Sequence, residues 1–472
     1  MPPESLTLTD YQGRTAMQEQ TPSATAGPRG GARTAYRIAL VVLVAVFAVK
    51  GVLVLRSTRR GKHRDYIRWH RVAVRALAGE PLADPPGTVY QAGEEGLKFY
   101  KLPSAFAVCI APLGWLPYDA YVVVWYAGSV AAAALAVLLA MKLLHGRCIP
   151  ADPRALLLPA AGVLAFVLDD VHNGTNNLHL LALLVLGFYL AWRKRPGLGG
   201  LSIGLAISWK AFPAAALPVL VLTRRWRLLA WSLVGTAVWT LAVPGAVRGY
   251  RRQWTETCAW YQRIIAPYAK GQKKRQWATQ GLSKKNQSLH ALAHRLLRKV
   301  DARSGAAEDY HKYTDAPFFV NLVSLPRGVV NAIFAGLVVA AAAAIGLVCL
   351  RSRAPPTRLA AATDLALAST FILIASPIAW TYFFALLLAP MSVGAYLLLG
   401  GCESSHLRRI CAAAWIGSVP LILGGLSDYA RAVGSLTWVG ILWFAAMLIV
   451  RAALHSKGVT SFSDKKNAQQ GH

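Results

Sequence analysis

The sequence predicts an all-α, polytopic membrane protein, and two observations support that prediction. Of the 472 residues, 55% are hydrophobic and only 15% are charged, whereas soluble domains are about 25% charged. The apolar residues also form blocks, such as 118–144 and 328–350, that are long enough as helices to cross a hydrocarbon core of about 30 Å. This composition argues against a soluble enzyme.

The apolar blocks begin at residue 36 and end at residue 453, and they predict about 11–13 transmembrane or re-entrant helices. We therefore expect one transmembrane domain over 36–453, between disordered cytoplasmic tails at 1–35 and 454–472, which contain no apolar core. No internal repeat at a fixed period is evident. The blocks are 36–55, 102–116, 118–144, 155–168, 178–192, 198–222, 228–247, 328–350, 359–374, 382–399, 410–423 and 436–453.

Charge predicts both the partners and the orientation. The 51 Lys and Arg outnumber the 21 Asp and Glu, for a net charge of +30, so we expect contact with anionic lipid head groups or a phosphorylated substrate. Apolar blocks of this kind exclude a nucleic-acid binder. Short loops rich in Lys and Arg favour the cytoplasm, which places a long loop at 248–326 outside. The six cysteines are scattered without CxxC spacing and indicate no zinc site.

The block at 198–222 has basic residues at both ends, so both ends should lie on the cytoplasmic side. It must then turn back within the membrane, and Lys210 and Pro213 mark the turn. The side of the membrane on which the first loop, 56–101, lies is less certain from the sequence. Its ten Lys and Arg alone would place it inside, but the number of spans allows that only under one condition. It lies inside if 102–116 crosses the membrane, and outside if that 15-residue block lies in the interface.

Within that loop, an apolar stripe beside a stripe of arginines over residues 64–78 predicts an amphipathic helix. Such a helix lies on the membrane surface with its arginines directed toward lipid phosphates. Asp65 is the acid in its first turn. From spacing alone, the simpler interpretation is a solvated carboxylate that balances neighbouring arginines.

Five segments in order give the chain a likeness to a known family. They are 65–117, 172–177, 204–226, 286–289 (Asn-Gln-Ser-Leu) and 376–380 (Ser-Pro-Ile-Ala-Trp). Together, over about 36–450, they resemble glycosyltransferase family 87. Its members are integral-membrane GT-C type enzymes that use polyprenyl-phosphate sugars and are related to bacterial alpha-1,2-mannosyltransferases and arabinofuranosyltransferases.

The resemblance implies a first loop outside the cell membrane, a juxtamembrane element at 102–116, and Asp65 as catalytic base. The chemistry needs such a group, because an attacking sugar hydroxyl must lose its proton as the new bond forms. One carboxylate suffices for an inverting displacement.

Further side chains are candidates for binding. Lys210, with Arg64 and Arg68, would hold the donor phosphate, although a lysine at this position can also snorkel to the interface. The candidates for the sugar or acceptor are Asn173, Asn177, Asn286, Gln287, Trp380 and Tyr382. Helix capping by the amides and an interfacial position for the aromatic residues are the alternatives.

Two departures from the family pattern concern the sugar site. Thr175 stands where the family has a glutamine, and Tyr382 and Phe383 stand where members often carry histidines. The sugar or acceptor can therefore differ from that of the better-known members.

The sequence thus predicts transfer of a sugar, with mannose favoured, from a polyprenyl-phosphate carrier to a glycolipid or glycan acceptor of the cell envelope. A lipid-linked sugar transporter and an inactive polyprenyl-lipid-binding paralogue are the alternatives. We expect no cofactor and no metal, although Asp169, Asp170 and His172 form one possible ligand set.

Overall fold

The structure is a computed structural model that describes residues 30–61, 64–82, 102–262, 266, 281–307, 316–351 and 357–454. Apart from two isolated β-bridges, the regular structure of these residues is entirely helical. The all-α prediction is therefore confirmed. Of the predicted tails and loops, 1–29, 83–101 and 455–472 lie outside the described residues, as do 263–265, 267–280 and 308–315 of the long loop.

Among the described residues before 263, the structure has eleven α-helices. They are α1 (Gly30–Arg59), α2 (Arg64–Leu77), α3 (Ser104–Ile110), α4 (Tyr118–His145), α5 (Arg154–Asn173), α6 (Asn177–Trp192), α7 (Pro196–Trp209), α8 (Ala216–Leu222), α9 (Trp226–Ala237), α10 (Val243–Arg248) and α11 (Tyr250–Trp260). The rest of the described chain adds α12 (Leu289–Leu297), α13 (Arg327–Arg351), α14 (Arg358–Ala375), α15 (Leu388–Tyr396), α16 (Ser405–Gly424), α17 (Asp428–Ala432) and α18 (Ser435–Ala453).

Within the described ranges, 9 helical segments are long and apolar enough to cross a membrane, and three shorter apolar helices accompany them. This agrees with the predicted number. Helix α1 begins at Gly30, six residues before the expected start of the transmembrane domain, because the helix continues through the polar residues that precede its apolar run. It packs loosely and leaves most of its apolar side chains exposed, as expected for a helix that faces lipid.

Helix α14 is the centre of the bundle, since 89% of its apolar window is buried inside the protein. The start of α14 lies at one end of the bundle, and the segment 376–380 that follows it lies at the other. We call the second of these the site end, because the predicted functional residues lie there.

The predicted reversal near Lys210 is present. Helix α7 ends at Trp209, Lys210 has an extended backbone, and a 3₁₀ turn at Phe212–Ala215 leads into α8. Gly200 lies against Trp231, and Gly204 lies against Gly235 further along both helices. Helices α7 and α9 are therefore parallel, which requires α8 to return toward the start of α7.

Glycine makes this packing possible. A Cβ atom at Gly204 would lie 2.5 Å from the backbone carbon of Gly235, so α7 and α9 approach more closely than larger residues allow. Small residues play this part in membrane bundles, where backbone proximity replaces the hydrophobic effect as a driving force.

The block 102–116 does not form a spanning helix. Its apolar helical part, Ser104–Trp115, holds α3 and a 3₁₀ turn at Ala111–Trp115, and twelve residues of helix extend only about 18 Å. Gly114 of that turn lies so close to α2 that a Cβ atom would be 2.7 Å from the carbonyl carbon of Ala73. This packing favours the interfacial alternative for 102–116.

Candidate active site

The turn between α5 and α6 organises the site end. Gly174 has φ 71°, a left-handed conformation that ends α5. Its carbonyl oxygen accepts hydrogen bonds from the indole nitrogens of Trp69, at 3.1 Å, and Trp125, at 3.0 Å. Tyr66 donates to the carbonyl of Val171 at 2.6 Å. Helix α2 is thereby attached to this turn.

Tyr66 is fully buried in this contact. Burial, with a further effect of the charge on Asp170, raises the pKa of Tyr66 above its usual value. The hydroxyl therefore stays protonated and remains a donor.

The other end of α2 is held by the long loop. Arg248 donates to the carbonyl oxygen of Glu80 at 2.9 Å, and Arg252 donates to that of Gly79. Both arginines also contact Glu256 on α11. Positive groups at a helix C-terminus complement its exposed carbonyls and its dipole, so these contacts fix the position of α2 along its axis.

Asp65 lies in the first turn of α2, one residue before Tyr66. Its side chain is 25% exposed, and its Oδ1 is 2.5 Å from Nη1 of Arg68. The guanidinium of Arg68 also lies 5.9 Å from the ring of Trp69. The carboxylate is thus held by an arginine of its own helix while remaining accessible. The side chain of Arg64 lies outside the described residues.

A series of hydrogen-bonded, buried polar side chains connects α5 to Lys210. Asp170 Oδ2 accepts hydrogen bonds from the Thr175 hydroxyl and from Asn177 Nδ2, the latter at 2.8 Å. Asn177 Oδ1 in turn accepts from Lys210 Nζ at 2.9 Å. Asp170, Thr175 and Asn177 are all buried. The lysine therefore extends from the hairpin turn to the same α5–α6 turn that holds α2.

Aromatic rings surround the ammonium of Lys210. Nζ lies 4.6 Å from the ring centre of Phe383 and 5.4 Å from that of Phe212, where the ring faces attract a cation. The neighbouring Tyr382 is within electrostatic reach of Asp65, Asp169 and Arg68. Asp65, Lys210 and Tyr382 thus belong to one polar region.

The segment 376–380 is joined to the long loop through the predicted amides. The Asn286 Oδ1 atom accepts from the backbone nitrogen of Ala379 at 2.8 Å, and the Gln287 backbone donates to the carbonyl of Ala379 at 2.7 Å. Asn286 and Trp380 form an isolated β-bridge. Gln287 Nε2 donates to the carbonyl of Arg431 at 2.8 Å. These backbone contacts favour a structural role for both amides, and sugar binding by them stays a prediction.

The two other predicted polar residues differ in their surroundings. Asn173 donates to the backbone and the carboxylate of Asp169, one turn earlier on α5. Trp380 is partly exposed at the start of the 3₁₀ segment Thr381–Leu387. Their contact with a sugar also stays a prediction.

A metal site is not assembled in the part of the chain that the structure describes, because no three His, Cys, Asp or Glu side chains there are placed to hold an ion. Asp170 instead bonds to Thr175 and Asn177. Metal independence remains a prediction that activity after EDTA treatment tests.

The structure gives two residues a part in the site that the sequence had not predicted: Asp170, considered there only as a possible metal ligand, and Thr175, noted only as a departure from the family pattern. Two adjacent acids at the end of an apolar block were the available signal. Successive helical residues point about 100° apart, and the sequence did not reveal that Asp170 faces inward while Asp169 is only partly buried.

Comparison with known proteins identifies the chain. The sequence model of glycosyltransferase family 87 matches residues 101–377. The matched range begins after Asp65 and ends before Trp380, so it includes Lys210 and the α5–α6 turn but not α2. No curated protein and no solved structure matches the chain.

Proposed function

This chain belongs to glycosyltransferase family 87, and we propose that it transfers a sugar from a polyprenyl-phosphate carrier to a glycolipid or glycan of the cell envelope. Mannose is the first sugar to test. The reaction takes place on the extracytoplasmic face of the plasma membrane and inverts the anomeric centre. Asp65 is the general base, and Lys210 binds the donor phosphate.

One observation carries the proposal. The α5–α6 turn holds the helix of Asp65 through Tyr66 and Trp69 on one side, and it holds Lys210 through Asn177 on the other. A base and a cation held by one turn are suited to a displacement in which a hydroxyl loses a proton as a phosphate departs.

The roles divide by charge. Asp65 is accessible, so an acceptor hydroxyl can reach it, and proton transfer to a carboxylate is the step that nucleophilic attack requires. Lys210 supplies a fixed positive charge for the second negative charge that develops on the polyprenyl phosphate as its bond to the sugar breaks. Arg68 holds the carboxylate of Asp65. When the acceptor hydroxyl replaces Arg68 at that carboxylate, the guanidinium group can contact the donor phosphate instead.

The orientation follows from the basic loops. The turns at Lys194 and Arg224 lie at the end of α7 and α8 opposite Lys210. Because short basic loops stay in the cytoplasm, the site end then faces outward.

Replacement of Asp65 by asparagine tests the base. Asp65→Asn keeps the size of the side chain and removes its basicity, so we expect transfer from a radiolabelled polyprenyl-phosphate sugar in purified membranes to fall about 100- to 10,000-fold. The matched control is Asp119→Asn, an exposed aspartate that pairs with Arg59 at 2.8 Å. Retention of most of the wild-type rate by Asp65→Asn would place the base elsewhere. Movement of labelled lipid across the bilayer without sugar transfer would instead support a transporter.

Substitution of Lys210 tests the phosphate role. We expect Lys210→Ala to weaken binding of polyprenyl monophosphate much more than Lys210→Arg, because arginine preserves the charge. Lys142 is the control, since its ammonium also lies over an aromatic ring, that of Tyr189 at 5.7 Å. Equal affinity in wild type, Lys210→Ala and Lys210→Arg would assign Lys210 to interfacial snorkelling.

A further inference from the structure

Asp170 is a buried carboxylate that the proposed reaction does not use. It is 0% exposed and lies at the end of α5. Its Oδ2 accepts from Thr175 and Asn177, while its Oδ1 is buried and has no hydrogen-bond partner among the residues that the structure describes. Burial of a carboxylate in this state costs free energy.

The amide of Asn177 links that carboxylate to Lys210. An ammonium group can only donate hydrogen bonds, so Lys210 requires the oxygen of the amide. Asp170 Oδ2 accepts from the nitrogen of the same amide at 2.8 Å, and the Thr175 oxygen lies 2.6 Å from that nitrogen. The hydrogen bonds on the two sides of the amide therefore select one orientation of the Asn177 side chain. The opposite orientation would bring an NH₂ group against the ammonium.

We infer that Asp170 is a positioning residue for Lys210, acting through Asn177 to hold the ammonium where the donor phosphate binds. The inference rests on the proposed phosphate role of Lys210. Thr175 supports the same arrangement, because its hydroxyl bonds to both Asp170 and Asn177.

An amide between the two charges has a chemical advantage. The carboxylate of Asp170 acts on Lys210 electrostatically, while Nζ donates a hydrogen bond to the neutral oxygen of Asn177 at 2.9 Å. A phosphate that approaches Nζ displaces an amide oxygen, which is a weaker partner than a carboxylate. Asp170 thus fixes the position of the lysine through a neutral amide, whose hydrogen bond to Nζ a phosphate can replace.

The experiment measures binding of polyprenyl monophosphate to the full-length protein in phospholipid nanodiscs. We expect Asp170→Asn to weaken binding about tenfold, equivalent to about 1.4 kcal/mol. Thr175→Val weakens it several-fold, and Thr175→Ser, which keeps the hydroxyl, restores most of that loss. The matched control is Thr363→Val, the same substitution at a buried threonine that bonds to the carbonyl of Leu359 near the other end of the bundle.

A double-mutant cycle separates positioning from general structural damage. If Asp170 acts through Lys210, Asp170→Asn adds almost nothing to the loss already caused by Lys210→Ala. Additive losses would overturn the inference. So would an Asp170→Asn protein that binds polyprenyl monophosphate like wild type but shows a reduced kcat.

Two further results are decisive. If Lys210→Ala binds normally, the proposed phosphate role fails and the inference fails with it; if only Asp170→Asn binds normally, the inference alone fails. Should Asp170→Asn not fold, as judged by thermal unfolding, the Thr175 variants decide. Equal affinity of Thr175→Val and wild type would then overturn the inference.

Discussion

Two aspartates at opposite ends of the bundle, Asp364 and Asp170, are both buried but have different partners. Asp364 Oδ2 lies 2.6 Å from Arg225, and its Oδ1 lies 2.9 Å from Arg451. Asp170 accepts hydrogen bonds from the neutral side chains of Thr175 and Asn177. One carboxylate is matched directly by two guanidinium groups, and the other is separated from its lysine by an amide.

This difference in partners indicates a different role for the aspartate at each end of the bundle. Direct pairing neutralises Asp364 and ties the α8–α9 connection and α18 to the central helix α14. Such a triad is costly to break, because loss of one partner leaves buried charge unpaired, and both guanidinium groups already donate to the carboxylate. An amide between charges fixes a position and allows an anion to approach the lysine. We therefore expect Asp364 to govern stability and Asp170 to govern donor binding.

The largest expected effect is at Asp364. Asp364→Leu leaves two arginines without their buried partner, which costs about 3–5 kcal/mol of unfolding free energy, whereas Asp170→Asn costs less because it removes a buried charge without leaving a guanidinium group unpaired. Denaturant unfolding in mild detergent measures both. The triple variant Asp364→Leu, Arg225→Met and Arg451→Met should recover most of the loss. An Asp364→Leu protein as stable as wild type would remove the distinction between the two ends.

The sequence was sufficient for the bundle and for one element of the site. Apolar blocks and basic loops predicted the helices, basic residues at both ends of the block 198–222 predicted its reversal, and Lys210 and Pro213 marked the turn. These features can be read from a short stretch of sequence, because a proline interrupts a helix and a charged residue is costly within the membrane whatever the rest of the fold.

The partners of the amides could not be predicted from the sequence. Asn286 and Gln287 are polar residues next to a helix start, which suits a sugar site or a loop contact equally well. Their use depends on the segment around Ala379, which lies far away in the chain. The Asp170–Asn177–Lys210 chain likewise requires the ends of three helices to meet.

A smaller effect is expected at Gly174, which joins α2 to the turn of Asp170. Gly174→Ala would place Cβ 2.3 Å from the ring of Tyr66, whereas Gly79→Ala has the same φ of +71° and nothing within 4 Å. Both substitutions strain the backbone by about 1–2 kcal/mol, so their difference isolates the displacement of α2. We expect kcat to fall about 10- to 100-fold more for Gly174→Ala, with polyprenyl monophosphate binding preserved. Equal kcat values would show that the site does not depend on this contact.

The smallest effect extends the comparison to His294, a buried histidine that carries no charge of its own at neutral pH. His294 lies on α12, where its Nδ1 accepts from Arg298 at 3.1 Å and its Nε2 lies 2.9 Å from Asn331 Oδ1. Because arginine can only donate, the proton of a neutral imidazole is on Nε2. Burial, with the neighbouring His290 and the arginines 298 and 327, lowers the pKa of His294 to about 3.

The folded protein therefore binds fewer protons here than the unfolded chain, in which the pKa is near its ordinary value of 6.5. Stability from this site is complete above pH 6.5 and is lost as the pH falls toward 3, by at most about 1.4 kcal/mol per pH unit. We expect the unfolding temperature to fall by a few degrees between pH 7 and pH 5.5, and His294→Gln, which can accept from Arg298 and donate to Asn331, to reduce that fall. The control is His406→Gln, at an exposed histidine of α16. If His294→Gln and wild type lose the same stability on acidification, the acid sensitivity arises at another group, and His290, whose pKa burial lowers to about 4, becomes the next to test.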